Sequence, residues 1–387
     1  MAMTPASDRV PLPQVRDLLH VGQPLPFRVL DSHERLLLSE GNVLLDEAQF
    51  EALLERGAWA ERSRVEAERV ARAGAAKAQP TVPQLSLFDR WERLLWQFDK
   101  LSRALLRREE RGSAVLPFCA TLQGLVNRDP DVALFLCVRQ EDRRFALYPL
   151  RHSIHCAVLA TLTARQLGWD EAKCASLGHA ALTMNLSLFE LQASMAEQDT
   201  PPTKRQLEQI RAHPNTSVAL LRAAGIDDED WLAAVADHHE HVGGGGYPQG
   251  HASAGAPAQV LRAADVYMAK ISPRAKRPPM APQMATRQWF QQHPGDALAM
   301  AMVKSVGVHP PGSLVQLKSG EVAVSIRRPA TGTHPLVATL SDRNGRPSGE
   351  THRRDTAQPE FAVLGPLQDA TAFPRIVPER VYGLIAG

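Results

Sequence analysis

Apolar residues recur every three or four positions through the middle of the chain, whereas both flanks carry shorter, strand-like patterns. Between Phe88 and Leu106 this spacing predicts an amphipathic helix with one continuous apolar stripe. The same period returns in segments as far as residue 305, so we predict an all-α bundle over residues 89–306. An exposed apolar stripe at 91–106 would favour a homodimer of such bundles.

Capping residues indicate where several of these helices begin. Asp170 and Thr203 each precede a helical period, and such side chains accept hydrogen bonds from the free N–H groups of a first helical turn. The predicted helices cover residues 46–56, 151–168, 171–185, a segment after Thr203, 230–239, 258–272 and 283–305. The predicted fold class is therefore mainly α, with a small module on either side.

The N-terminal flank, residues 1–60, predicts a small α/β module. Short strands within 21–31 and 35–41 precede its helix. Residues 61–88 are rich in Ala, Arg and Glu and contain the helix-breaking run Gln79-Pro80-Thr81-Val82-Pro83. We therefore predict a partly helical linker there.

The C-terminal flank, residues 307–387, predicts a small β-rich region. Two strands joined by a Ser-Gly turn lie within 313–326, and a third covers 336–340. Residues 342–345 are predicted to form a turn.

Charge and cysteine content exclude several classes of protein. The 387 residues include 44 basic and 42 acidic side chains, so no strong net field attracts nucleic acid or a membrane surface. Four cysteines (Cys119, Cys137, Cys156 and Cys174) have apolar neighbours and no CxxC spacing, which predicts reduced, buried thiols rather than disulfides or a zinc site. Without a leader in Met1–Leu12 or a run of roughly 18 uncharged apolar residues, we expect a cytoplasmic protein with no membrane span.

The densest chemistry lies in one stretch, His238-His239-Glu240-His241-Val242, which continues into Gly243-Gly244-Gly245-Gly246-Tyr247-Pro248. Neutral imidazole is the commonest metal ligand in proteins, and glycine lets backbone approach a ligand closely. A phosphate-binding P-loop is excluded, because no Lys-Ser/Thr follows the glycines. A surface histidine cluster before a flexible linker is the alternative, but the Gly-Tyr-Pro ending favours a site.

This stretch resembles the signature of the HD-GYP family, a branch of the HD phosphohydrolases, in which His-His-Glu is followed by Asp-Gly-x-Gly-Tyr-Pro. The resemblance implies an all-helical domain that hydrolyses cyclic di-GMP at two or three metal ions, usually iron or manganese. Gly243 stands where the signature has its aspartate.

The resemblance also implies a set of metal ligands. The matching positions are His152, His213, His238, His239 and Asp265. Three histidines elsewhere, His179, His241 and His251, match no family ligand.

Other ligand positions differ from the family pattern. Tyr148 replaces a glutamate, Met184-Asn185 replaces the His-Asp dyad, and Leu188 replaces a lysine. An asparagine carries no charge with which to bridge two cations, and a thioether is a soft ligand that suits iron(II) or manganese poorly. We therefore expect a multimetal centre to be absent or much weakened.

A reduced single-metal site remains open, with two alternative sets of ligands. One consists of His213, His238 and His239, and the other pairs His152 with Asp265. The alternative is that these are buried, hydrogen-bonded side chains that bind no metal.

Three functional hypotheses follow. In the first, the chain is a degenerate HD-GYP protein that has lost hydrolysis and binds cyclic di-GMP, or uses the loop at Gly243, Gly244, Gly246, Tyr247 and Pro248 to contact a GGDEF domain. In the second, it is an active phosphodiesterase with a remodelled mono- or dinuclear site, in which Asn185 is a weak ligand. In the third, it is an interaction protein that binds neither nucleotide nor metal.

Overall fold

A computed structural model describes residues 8–73, 86–140, 144–275, 277–367, 373 and 376–384. Most described residues are helical, which confirms the mainly α class. The helices are α1 (Glu47–Glu55), α2 (Arg62–Ala73), α3 (Leu87–Leu106), α4 (Val115–Arg128), α5 (Pro130–Val138), α6 (Tyr148–Gln166), α7 (Glu171–Thr183), α8 (Phe189–Glu197), α9 (Lys204–Ala223), α10 (Glu229–Asp237), α11 (Ala256–Ile271), α12 (Pro282–Gln292), α13 (Ala297–Val306) and α14 (Pro378–Val381).

The predicted helix starts are confirmed by their caps. The carboxylate of Asp46 accepts a hydrogen bond from the backbone N–H of Gln49, and Asp170 caps α7 in the same way. Thr203 caps α9 within a capping box whose other member is Gln206. Each cap satisfies an N–H group that has no partner inside the helix.

The single helix predicted at 283–305 is wrong, because the chain forms α12 and α13 with a break between them. Pro294 disfavours helical backbone at the preceding residue, and Gly295 adopts a left-handed φ of 76°. Asp296 then begins α13 by accepting a hydrogen bond from the N–H of Leu298.

A four-stranded antiparallel sheet forms the N-terminal part of the fold. Its strands are β1 (Arg9–Pro11), β2 (Val29–Leu30), β3 (Leu36–Leu38) and β4 (Trp59–Glu61), in the order β1-β4-β2-β3. The predicted pair corresponds to β2 and β3. The sequence analysis missed β1 and β4, which are too short for an alternating pattern. The proposed linker begins with α2, and its Gln79–Pro83 run lies outside the described residues.

The apolar stripe of α3 is buried, so the exposed stripe that would favour a dimer is not present. Leu94 and Phe98 are each 1% exposed and belong to one apolar core that runs from Val10 to Val306. Packing against α1, α4 and α6 covers the stripe. The argument for a homodimer therefore has no support from this surface.

A five-stranded antiparallel sheet follows α13. Its strands are β5 (Leu314–Leu317), β6 (Val322–Arg327), β7 (Leu336–Thr339), β8 (Arg353–Asp355) and β9 (Val363–Pro366), in the order β8-β7-β6-β5-β9. The three predicted strands correspond to β5, β6 and β7. The sequence analysis missed β8, which is polar, and β9, which contains Gly and Pro. The sheet packs on α5 through Phe135.

The thiol prediction is confirmed, since all four cysteines are buried and unpaired. In the part of the chain that the structure describes, none of the helices has both the length and the apolar character needed to cross a membrane. The domain boundaries at residues 60, 88 and 306 stay predictions.

Candidate metal centre

Three helices and the segment just after a fourth supply the five predicted ligands. His152 lies on α6, His213 on α9 and Asp265 on α11. The pair His238-His239 lies just beyond α10, which ends at Asp237 rather than at 239 as predicted. The structure places the five residues in two neighbouring groups, which correspond to the two sets named in the sequence analysis.

The first group is an imidazole triad of His213, His238 and His239, whose ligand atoms all lie within 4.8 Å of one another. The Nε2 atoms of His213 and His238 are 3.0 Å apart. His238 is fully buried and His213 is nearly so.

Backbone carbonyls determine the tautomers of two members of the triad. His213 Nδ1 lies 2.6 Å from the carbonyl oxygen of Ile210, and His238 Nδ1 lies 2.7 Å from that of Val235. A carbonyl only accepts, so each Nδ1 carries the proton. The two Nε2 lone pairs therefore face each other.

This arrangement fits a bound cation. Metal–nitrogen bonds of about 2.0–2.1 Å place two imidazole nitrogens about 3 Å apart when they bind one cation at right angles. Burial lowers the pKa of His213 to about 3, and burial likewise lowers the pKa of His238 and His239. The triad is therefore neutral at pH 7 and available as a set of ligands.

The second group contains His152, Cys156 and Asp265, again within 4.8 Å of one another. His152 Nε2 lies 2.7 Å from Asp265 Oδ1 and 3.5 Å from Cys156 Sγ. Burial raises the pKa of Asp265, but interactions led by the hydrogen bond from His152 outweigh burial and hold that pKa well below its ordinary value. Asp265 is thus a charged carboxylate beside the imidazole triad.

Three of the positions that differ from the family pattern, Tyr148, Asn185 and Leu188, line this site. Asn185 follows α7, is 2% exposed, and has no acceptor for its Nδ2 among the described residues. Leu188 lies beside it. Met184 is fully buried and lines none of the cavity wall that the structure describes. This wall of the site thus carries no charge.

Tyr148 occupies the position of the missing glutamate and contacts an arginine. Its ring stacks on His152 with centroids 5.5 Å apart. Arg274 Nη2 donates a 3.0 Å hydrogen bond to the Tyr148 hydroxyl. The sequence analysis missed Arg274 because it follows α11 in a Pro- and Arg-rich segment that showed no periodic pattern.

The loop after the histidine pair folds back over His239. Buried Glu240 accepts hydrogen bonds from the backbone N–H groups of Gln249 (2.7 Å) and Gly250 (3.0 Å). The Tyr247 ring stacks on His239 with centroids 4.4 Å apart. A Cβ at Gly246 would lie 2.5 Å from Glu240 Cα, so only glycine fits that position.

Of the loop residues named in the sequence analysis, Tyr247 lines the cavity. Gly243 is exposed, and Gly243 and Gly244 have left-handed φ values of 94° and 91°. Pro248 follows Tyr247 through a cis peptide bond. The other predicted loop residues shape the turn and line none of the cavity that the structure describes.

A cavity of about 160 Å³ joins these features. Its lining includes His152, Asn185, His213, His239, Tyr247, Asp265 and Arg274. His179, His241 and His251 lie elsewhere, against Trp231, Arg262 and Asp237 respectively.

Comparison with known proteins agrees with this arrangement. The family model described as "HD domain" matches residues 137–292. The chain is 28% identical over 189 residues to the cyclic di-GMP phosphodiesterase PA4108 of Pseudomonas aeruginosa. That alignment covers 47% of this chain and 45% of the relative, so the chain spans less than half of that relative's length.

Among solved structures, Bd1817, an HDG"Y"P protein from Bdellovibrio bacteriovorus, matches with a TM-score of 0.48 and 13% identity. The match covers 76% of this chain and 98% of the other, and we draw no conclusion from a similarity at this level. The HD domain match coincides with the helices that carry His152 to Asp265, and the signature residues His238-His239-Glu240 and Gly246-Tyr247-Pro248 lie beside them. The HD domain match and the signature residues together support an HD-GYP domain protein.

Proposed function

We propose that this chain takes part in cyclic di-GMP signalling by binding the dinucleotide, and that its capacity for hydrolysis is lost or strongly reduced. The observation that supports this most directly is the uncharged Asn185 in the wall of a cavity that otherwise retains histidine ligands and an arginine. Binding requires a cation and shape, whereas hydrolysis also requires an activated hydroxide.

The cavity has features suited to a phosphodiester. Arg274 brings a fixed positive charge to its lining, and guanidinium groups bind phosphate oxygens well. A metal held by the imidazole triad would add positive charge. Because about 160 Å³ is smaller than typical small-molecule pockets of about 300–1,000 Å³, we place one phosphate and its sugar in the cavity and the rest of the dinucleotide on the adjoining surface.

Hydrolysis needs more than these groups provide. Paired metal ions activate water best when a carboxylate bridges them. Asn185 has no charge for this role, and Tyr148 and Leu188 add none. Asp265 is the carboxylate among the described lining residues, and it already pairs with His152.

The rival function is an active phosphodiesterase whose ligands are His213, His238, His239 and Asp265. Cyclic di-GMP turnover separates the two proposals. The chain is purified without oxygen, supplied with iron or manganese, and assayed by chromatography for linear dinucleotide and GMP. Binding without turnover supports our proposal. Turnover at an enzymatic rate that is lost in His238→Ala overturns it.

A partner-binding variant of the same proposal uses the outer side of the loop. Val242 is 73% exposed, and Gly243 beside it is also exposed. A GGDEF domain is the partner that the family resemblance implies. Replacing Val242 by Asp should abolish such binding and leave nucleotide affinity unchanged, and unchanged partner binding would exclude this variant.

A further inference from the structure

We propose that Cys156 is a metal ligand, acting with His152 and Asp265 at a cation position distinct from the imidazole triad. His152 and Asp265 line the cavity of the proposed function. The inference rests on that proposal only for the presence of a metal ion. It does not depend on which nucleotide binds. It revises the expectation from the sequence that all four cysteines are simple packing residues.

Helix geometry places the thiol beside the histidine. Cys156 follows His152 by four residues on α6, so both side chains lie on the same face, and α11 brings Asp265 against that face. Cys156 Sγ lies 3.5 Å from His152 Nε2. The other cysteines belong to no such group among the described residues.

The distance between Cys156 Sγ and His152 Nε2 suits a tetrahedral cation. Metal–sulfur bonds of about 2.3 Å and metal–nitrogen bonds of about 2.0–2.1 Å separate two tetrahedral ligands by about 3.5 Å, which is the observed sulfur–nitrogen distance. The corresponding nitrogen–oxygen distance is about 3.4 Å. Because His152 Nε2 and Asp265 Oδ1 are 2.7 Å apart, Asp265 has to move by roughly 0.7 Å, which rotation of its side chain can supply.

The donor set also balances charge. A thiolate and a carboxylate together neutralise a divalent cation, which partly replaces the negative charge absent at Asn185. Binding releases the thiol proton to solvent and forms the sulfur–metal bond, while the imidazole proton of His152 moves to Nδ1 so that Nε2 can coordinate. Thiolate ligands favour zinc or iron(II) over magnesium or manganese.

Cobalt(II) provides a direct test, because a cobalt–thiolate bond produces a charge-transfer band in the near ultraviolet. The full-length, metal-stripped protein is titrated with Co²⁺, alongside Cys156→Ser, Cys156→Ala and the matched control Cys174→Ala. We expect the band in the wild-type protein and the control, and its loss in both Cys156 variants, with at least tenfold weaker zinc binding at one site. Circular dichroism checks that each variant is folded.

A wild-type protein without the band, or a folded Cys156→Ser protein that retains it, would overturn the inference. Titration with cyclic di-GMP in parallel separates this inference from the proposed function. Nucleotide binding without the band rejects only the thiolate ligand. The band without nucleotide binding supports the thiolate ligand and rejects the proposed function.

Discussion

Arg274 donates a hydrogen bond from Nη2 to the hydroxyl of Tyr148, across a separation of 126 residues in the chain. The guanidinium carbon also lies 5.2 Å from the centre of the Tyr148 ring. This contact orients a positive charge at the wall of the cavity where the family pattern has a glutamate. Tyr148 thus removes the negative charge that a glutamate would carry at this position, and it holds the positive charge of Arg274 in place.

Removing that charge should weaken nucleotide binding. A hydrogen bond to a charged group contributes about 1.5–3 kcal/mol, so Arg274→Gln should weaken cyclic di-GMP binding by about 10- to 150-fold in calorimetric titration. Arg222→Gln is the matched control, because Arg222 is an exposed arginine paired with Glu229. Equal affinities of the wild-type and Arg274→Gln proteins would place the phosphate elsewhere.

Restoring the missing carboxylate should favour hydrolysis. Asn185→Asp returns a bridging group to the cavity wall, and we expect turnover of cyclic di-GMP to rise at least tenfold above the wild-type rate with iron or manganese present. The same substitution at Asn127, which accepts a hydrogen bond from Arg165 on the surface, should change nothing. An inactive, folded and metal-loaded Asn185→Asp protein would show that Tyr148 or Leu188 also prevents catalysis.

Because the Nε2 atoms of His213 and His238 face each other, we expect removal of the His238 imidazole to reduce the metal content of the protein. His238→Ala removes one lone pair of the triad, so metal content by mass spectrometry should fall by about one equivalent. His293→Ala is the control, because His293 Nδ1 contacts the carbonyl oxygen of Trp289 on α12. Identical metal content in the two variants would mean that the triad holds no cation.

The loop over His239 should not tolerate a side chain at Gly246. In Gly246→Ala the new Cβ meets Glu240 Cα and the His239 carbonyl oxygen at 2.5 Å, so the backbone has to move. We expect a free-energy loss of about 1–3 kcal/mol in urea unfolding, together with weaker nucleotide binding. Gly124→Ala, at an exposed and open position in α4, should instead leave the stability unchanged or raise it by up to about 1 kcal/mol.

A buried ion pair joins the N-terminal module to the bundle. Arg56 Nε donates a 2.8 Å hydrogen bond to Asp99 Oδ2, and both side chains are nearly buried. Because Arg56→Met leaves the buried Asp99 charge with Arg103 as its partner, urea unfolding should show a loss of up to about 3–5 kcal/mol. Lys100→Gln, which removes the exposed pair with Glu51 on the same two helices, should cost at most about 1 kcal/mol. Similar losses in both variants would contradict this account.

Local patterns determined most of what the sequence analysis predicted correctly. Helical period and the caps at Asp170 and Thr203 depend on neighbours within four residues, so they can be read without knowing the fold. The break at Pro294-Gly295 was also readable and was missed. The short strands β1, β4, β8 and β9 carry little pattern of their own, because pairing with distant strands determines them.

The ligand residues were identified from the family motif, and their role as ligands stays a prediction. The imidazole triad and the pair of His152 with Asp265 were already distinguished from the sequence. Only the tertiary structure added Cys156 to the second group, because its proximity to Asp265 depends on how α6 and α11 pack. It also placed Arg274 beside Tyr148 and buried the stripe of α3. Sequence alone thus determined which residues carry the chemistry, whereas contacts between residues far apart in the chain decided which of them can act together.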